Sequence, residues 1–161
     1  MSTDHSADPV VVREAGIDDA PALAALRFRW QAIESGRLGL ERDAYEAALV
    51  EWMRAHTSTH RGFLAHRGAE PVAMAWLAVV ERVPSPAELH RRAAILQSVY
   101  VAPEYRNAGV GSALVGRVID AARESGYAYV MVHPSERSFT FYGRLGFVAT
   151  GGELELRLDG R

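Results

Sequence analysis

The sequence predicts an α+β fold, a mixed α/β sheet flanked by helices, and three observations carry that expectation. Short apolar segments alternate with longer ones whose apolar residues recur at helical spacing, as strands and amphipathic helices do in such a fold. Glycine and proline fall between these segments, where turns are needed. The chain has 161 residues and is 48% apolar, enough for one continuous core, with no internal repeat and no low-complexity linker. Residues 1–161 therefore read as a single domain, with the polar residues 1–8 disordered ahead of it.

Val10 to Arg13 reads as a first strand. Asp18 is placed to cap a helix with Pro21 in its first turn and with Leu23, Leu26 and Trp30 on its apolar face. Gly36 and Gly39 end it. Tyr45, Leu49, Trp52, Met53 and His56 share one face of a second helix. Gly62 to His66 and Val72 to Val80 form a hairpin around Arg67 to Glu70, and Pro84 and Pro86 mark a loop. The charge run Glu88 to Arg92 reads as part of that solvent-facing loop. Ala94 to Val101 is the next strand, and a helix from Gly111 to Ser125 follows, with Leu114, Val115, Val118 and Ala122 on one face. Tyr127 to Val132 is apolar throughout, as in a strand covered on both faces. A short helix through Phe139 and Tyr142, a strand at Phe147 to Thr150 and an alternating Leu154, Leu156, Leu158 strand close the chain.

Composition removes several classes of function. With 18 Lys and Arg against 20 Asp and Glu, the net charge of -2 favours neither nucleic acid nor an anionic membrane. The absence of cysteine excludes a disulfide framework, a thiolate zinc site and a cysteine nucleophile. Residues 1–9 do not match a secretory signal and no segment is apolar for a membrane-spanning length, so a cytoplasmic protein is expected. His56 and His60 are four apart, but no acidic third ligand stands beside them, and no metal site is expected.

The most specific local feature is Arg106, Asn107, Ala108, Gly109, Val110, Gly111, set between a strand and a helix. Glycines let a ligand approach the backbone and a helix start offers unpaired N–H groups, together an anion site suited to a pyrophosphate. A nucleoside triphosphate loop would need Lys and Ser or Thr after the second glycine, whereas Ser112 and Ala113 follow Gly111. A dinucleotide fingerprint would need a third small residue and a later acid, where Leu114 and the 127–132 strand stand instead. Taken without its surroundings, the tripeptide is equally a helix start that holds no ligand.

Its surroundings are informative. The run Leu96 to Leu114 resembles the acetyl-CoA motif of the GNAT family of N-acetyltransferases, including its Arg/Gln-x-x-Gly-x-Gly/Ala signature. Phe141, Tyr142, Gly143, Arg144, Leu145, Gly146, Phe147 resembles the family's aromatic-Tyr-x-x-x-Gly-Phe segment. The resemblance implies a twisted mixed sheet of six to seven strands with about four helices. It implies acetyl-CoA as co-substrate, without a metal. Main-chain groups at Val99, Tyr100 and Val101 would meet the pantetheine arm and acetyl carbonyl, and Arg106, Asn107, Ala108, Gly109, Val110, Gly111 and Ser112 the pyrophosphate. The strands ending near Val101 and starting near Tyr127 would splay apart, with Ser138, Phe141 and Arg144 along the coenzyme.

Acyl transfer to an amine needs a neutral nucleophile, a donor to the carbonyl oxygen and a proton for the departing thiolate. Tyr142, matching the family's tyrosine, is the expected proton donor, because a phenol with a pKa near ~10 is protonated at neutral pH. The base is open among Glu81, His133 and a water chain, since Gln97 and Ser98 stand where some relatives carry a carboxylate. Ser135 stands near the place of an Asn in many relatives. Arg27 and Trp30 on the first helix, with Gln97 and Ser135, are the acceptor-side candidates. The expected reaction is acetyl transfer from acetyl-CoA to a small-molecule primary amine by direct attack in a ternary complex. The alternatives are acetylation of a protein N-terminus or lysine, and a non-catalytic coenzyme-A-binding sensor. Pairing of the C-terminal strand would make a homodimer.

Overall fold

Where apolar residues alternate, strands form. They are β1 (Val10–Glu14), β2 (His60–Arg67), β3 (Glu70–Arg82), β4 (Arg91–Val101) and β5 (Val130–Val132). The helices are α1 (Ala20–Glu34), α2 (Arg42–Ala55), α3 (Val110–Glu124) and α4 (Phe139–Arg144). This is a computed structural model that describes residues 8–152 together with 156 and 158. The sheet order is β1-β2-β3-β4-β5, with the first four strands antiparallel and β5 parallel to β4. A parallel step needs a crossover, and α3 supplies it.

Side-chain alternation divides the core into two. Phe63 and Ala65 of β2, and Ala73, Ala75 and Leu77 of β3, face α3, where they meet Val110, Leu114, Val115 and Val118. The intervening Leu64, Met74 and Trp76 face α1 and α2, where they meet Leu23, Leu26 and Met53. Period-two patterning on strands buried on both faces is why β3 reads as a nearly continuous apolar run. At one end, Arg61 donates from Nε to the Glu14 carboxylate at 2.7 Å and from NH1 to the Ser125 hydroxyl at 2.8 Å, joining β2 to β1 and to the end of α3.

The mixed sheet with four flanking helices agrees with the expectation, and most boundaries fall within a few residues of it. Five details differ. Asp18 does not cap α1. Asp19 holds the cap position, and its carboxylate accepts from the Gly16 N–H at 2.8 Å and from both terminal nitrogens of Arg13 at 2.7 and 2.6 Å. Arg91 and Arg92 belong to β4, with Arg92 opposite Glu81, rather than to the preceding loop. Among the described residues the sheet has five strands, fewer than six to seven. Phe147 to Thr150 form no strand because the Phe147 N–H caps α4, donating to the Tyr142 carbonyl at 3.1 Å. Leu156 and Leu158 are exposed and outside any strand, while Leu154 and residues 1–7 lie outside the described residues.

Two outcomes are expected. Leu114, fully buried between α3 and the sheet, should cost about 2–5 kcal/mol when replaced by Ala, read by urea unfolding. The Asp19 carboxyl is held below its ordinary range, chiefly by the hydrogen bonds from Arg13. A depressed folded pKa contributes stability that is present above the unfolded value, ~3.9, and is lost as pH falls through the folded one. Asp19→Asn should therefore be less stable than the parent at pH 7 and converge with it in acid; a constant gap down to the lowest pH would reject this.

Candidate active site

β4 carries the decisive irregularity. Its pairing with β3 slips between Met74 and Trp76, where Ala75 faces both Ser98 and Val99, and Ser98 adopts φ 52°. One extra residue in a strand inverts which residues face which way beyond it. Before the bulge, Ala94 and Leu96 face α3; after it, Tyr100 and Ala102 face α1, and Val99 and Val101 take the α3 side. The main chain switches as well. The Ala94 N–H donates toward β5, to the Tyr129 carbonyl at 3.0 Å, whereas the Ala102 N–H donates toward β3, to the Val72 carbonyl at 2.9 Å. By alternation, the main-chain groups of Val99 and Val101 point to the β5 side.

On that side β5 has gone. The last ladder pair is Leu96 with Val132, so Gln97 to Val101 continue along β3 alone and a gap opens beside them. The Val101 carbonyl at the gap accepts from Arg106 Nε at 3.0 Å.

The turn into α3 closes the gap's far end. Asn107 and Gly109 take left-handed conformations, φ 60° and 78°, and a Cβ built on Gly109 meets nothing within 4 Å. The first bond of the helix runs from the Ala113 N–H to the Gly109 carbonyl at 3.0 Å. The N–H groups of Val110, Gly111 and Ser112 therefore have no preceding carbonyl to take them, and the helix dipole adds to their pull on an anion. α4 packs across this turn, and a Cβ on Gly111 would lie 3.4 Å from the Phe141 ring. Ser138 precedes α4 as its N-cap and Arg144 is its last residue, three residues either side of Phe141. Gly146, at φ 92°, ends α4 and returns Phe147 onto Tyr142, ring centroids 5.5 Å apart. Tyr142 is thereby buried against Phe141 and Phe147, and burial raises its phenol pKa above 10.

On the opposite face of the sheet a cleft of about 450 Å³ opens between α1, α2 and the bulge. Leu23, Leu49, Trp52 and Trp76 form its apolar wall, and Arg27, Tyr45, His60, Gln97 and Ser98 are its polar members. A second cavity of about 410 Å³ shares Arg27, Leu40 and Tyr45 and runs beneath the connection between the two helices. Arg27 donates from NH1 to Ser98 Oγ at 3.3 Å, and its guanidinium lies 4.5 Å over the Trp30 ring. His60 accepts from or donates to Thr59 Oγ1 at 3.0 Å, and burial, with His56 adding to it, lowers its pKa.

The structure thus gathers Val99, Val101, Arg106 and the 107–112 turn around one gap, with Phe141 against Gly111 and Tyr142 packed on Phe141, and Arg27, Gln97 and Ser98 around one cleft. Other candidates fall elsewhere. The Tyr100 side chain turns to the α1 face, stacked on Trp30 at 5.8 Å, because the bulge reverses its direction. Trp30 therefore supports Arg27 from behind. Glu81 lies five residues along β3 from Trp76, opposite Arg92 and on the α3 side by alternation, remote from the bulge. His133 follows the last paired residue of β5, level with the start of the gap, and Ser135 Oγ is bonded to Ser138 Oγ at 2.9 Å ahead of α4. Tyr45, Trp52, Trp76 and His60 are cleft residues that sequence reasoning did not select. Their only local signal is the shared helical face of Tyr45, Leu49 and Trp52.

A bulged strand parting from its parallel neighbour leaves an open edge beside an N–H-rich turn. The sequence pattern of the acetyltransferase (GNAT) family matches residues 25–147, and the chain belongs to that family. A 64-residue stretch is 41% identical to the glucosamine 6-phosphate N-acetyltransferase of Trypanosoma brucei brucei, covering 40% of this chain and 42% of that enzyme. The GCN5-related N-acetyltransferase of Ralstonia eutropha superposes with a TM-score of 0.72 at 27% identity, over 94% of this chain and 100% of that one. An acetyltransferase of Clostridium acetobutylicum, solved with acetyl-CoA, shares the fold at TM-score 0.75 and 20% identity, over 93% and 97% of the two chains.

The left-handed Ser98 provides a test of the bulge. Ser98→Val should lose about 1–3 kcal/mol in urea unfolding, since a β-branched side chain opposes that conformation, while Ser98→Gly should lose less. Equal stability of the two variants would mean that the bulge is not held as described.

Proposed function

We propose that the chain transfers an acetyl group from acetyl-CoA to a primary amine of a small molecule, by direct attack with both substrates bound. The observation that carries this reading is the gap at Gln97–Val101, flanked by the α3 turn on one side, with the bulge residues Gln97 and Ser98 lining the cleft on the other. The turn suits a pyrophosphate, because its N–H groups are unpaired, Gly109 leaves its surface open and Arg106 adds positive charge. Val99 and Val101 would pair with the pantetheine arm as a strand does, using the main-chain groups that β5 leaves.

In this arrangement the Val99 N–H donates to the thioester carbonyl oxygen and stabilises the charge that builds there. The amine, held in the cleft, forms its bond to the carbonyl carbon while the carbon–sulfur bond breaks. The thiolate takes the proton of Tyr142, whose burial keeps the phenol protonated through neutral and mildly alkaline pH. The ammonium proton leaves through the cleft, and an equivalent proton restores the phenol. Glu81 is too remote for any of these steps.

Mixing the chain with acetyl-CoA and a panel of amines should release free thiol in an acceptor-dependent manner. Tyr142→Phe should lower kcat about 100-fold, within the usual contribution of a positioned acid, with coenzyme A affinity by calorimetry changed less than about threefold. Parent kcat should not decline between pH 8 and 9.5, because the raised phenol is still protonated there. Unchanged turnover in Tyr142→Phe would instead support a domain that binds the coenzyme without using this residue.

A further inference from the structure

The cleft has an unusual charge pattern. Arg27 and Arg29 lie two residues apart on α1. Arg29 is neutralised by Glu104, donating from NH1 and NH2 at 2.8 and 2.7 Å. Arg27 points instead into the cleft, half-buried, where its recorded partners are the uncharged Ser98 and Tyr45. Among the described residues no Asp or Glu lines the cleft. A guanidinium withdrawn from water beside apolar groups is stabilised by a carboxylate far more than by a hydroxyl, and its fork can hold the carboxylate through two hydrogen bonds. Trp30 beneath it fixes the plane of the fork.

The wall facing Arg27 is apolar and rigid. Trp76 is held edge-on to Trp52 with centroids 5.6 Å apart, and a Cβ on Gly62 would come within 3.3 Å of its ring, so a larger residue at 62 would have to displace it. Such a wall offers contact area to an aromatic or long aliphatic group and no partners to a row of hydroxyls. Because Arg27 is bonded to the bulge residue itself, a carboxylate on Arg27 sets the carbon that bears it beside the reacting end of β4.

We propose that the acceptor is the α-amino group of a free amino acid with an aromatic or large aliphatic side chain. Its carboxylate is held by Arg27, and its side chain lies against Trp52, Trp76, Leu23 and Leu49. A substrate with a second cation meets Arg27 without a compensating acid and is disfavoured, and a sugar phosphate, though Tyr45, His60 and Gln97 offer partners to some of its hydroxyls, leaves others against the tryptophans. This inference rests on the acetyl-transfer reading above.

The test compares thiol release from acetyl-CoA with tryptophan, phenylalanine, tryptamine, spermidine and glucosamine 6-phosphate. The kcat/KM for tryptophan should exceed that for tryptamine by about 30-fold or more, the usual worth of a charged hydrogen-bonded pair. In Arg27→Met the tryptophan-to-tryptamine ratio should collapse to within about threefold, with coenzyme A binding by calorimetry reporting that the variant is folded. Arg27→Lys, which keeps charge and loses the fork, should give an intermediate ratio and carries the same test if the methionine variant does not fold. Faster acetylation of tryptamine, spermidine or glucosamine 6-phosphate overturns the proposal and leaves acetyl transfer standing. Thiol release with none of the amines overturns both.

Discussion

One extra residue in β4 governs everything around the site. Without it, Val99 and Val101 would send their main-chain groups to β3, and Tyr100 would fill the α3 side of the sheet. With Ser98 inserted, the strand before the bulge is an ordinary member of a five-stranded sheet and the strand after it presents an edge to a ligand. A left-handed non-glycine residue costs on the order of 1–2 kcal/mol. That cost is sustained by the pairing of β3 with β4 on both sides of the slip and by the hydrogen bond from Arg27.

The two sequence blocks that resembled the family meet in space at Gly111 and Phe141. A Cβ at Gly111 would touch the Phe141 ring at 3.4 Å, whereas Gly109 is required for its backbone angle. The second block is a helix with its own terminator: Gly146 ends α4 after six residues, and Phe147 turns back to wedge Tyr142 in place. Burial, rather than any polar neighbour, raises the pKa of the phenol. A short helix without a hydrophobic return would leave the same tyrosine exposed.

Much of this was legible in the sequence because its chemistry is main-chain. Glycines at 109, 111 and 146 mark backbone requirements directly, and the helices and the β2–β3 hairpin follow from periodicity and turn residues. What failed to show has a physical reason in each case. The choice of Asp19 over Asp18 depends on Arg13, a strand away. The facing of Tyr100 depends on a bulge that no residue type announces, Ser98 being an ordinary strand residue by composition. Glu81 looked available because a strand-end carboxylate has no sequence mark for which end of a sheet it occupies. The cleft draws on α1, α2, β2, β3 and β4, so no local pattern could have assembled Arg27, Tyr45, Trp52, His60 and Trp76.

That asymmetry also explains how the two halves of the site differ in what kinship can tell. Main-chain N–H groups survive almost any substitution that leaves the bulge, the turn and their glycines intact. Such groups depend on the path of the backbone rather than on any one side chain. The acceptor cleft is built from side chains, and a single exchange at Arg27 or Trp76 would change its charge or its volume without disturbing a strand. Shared architecture at low identity is thus silent on what is bound against Trp52 and Trp76. What the cleft holds must be read from this chain's own residues, where an arginine that has no carboxylate partner among the described residues faces an aromatic wall.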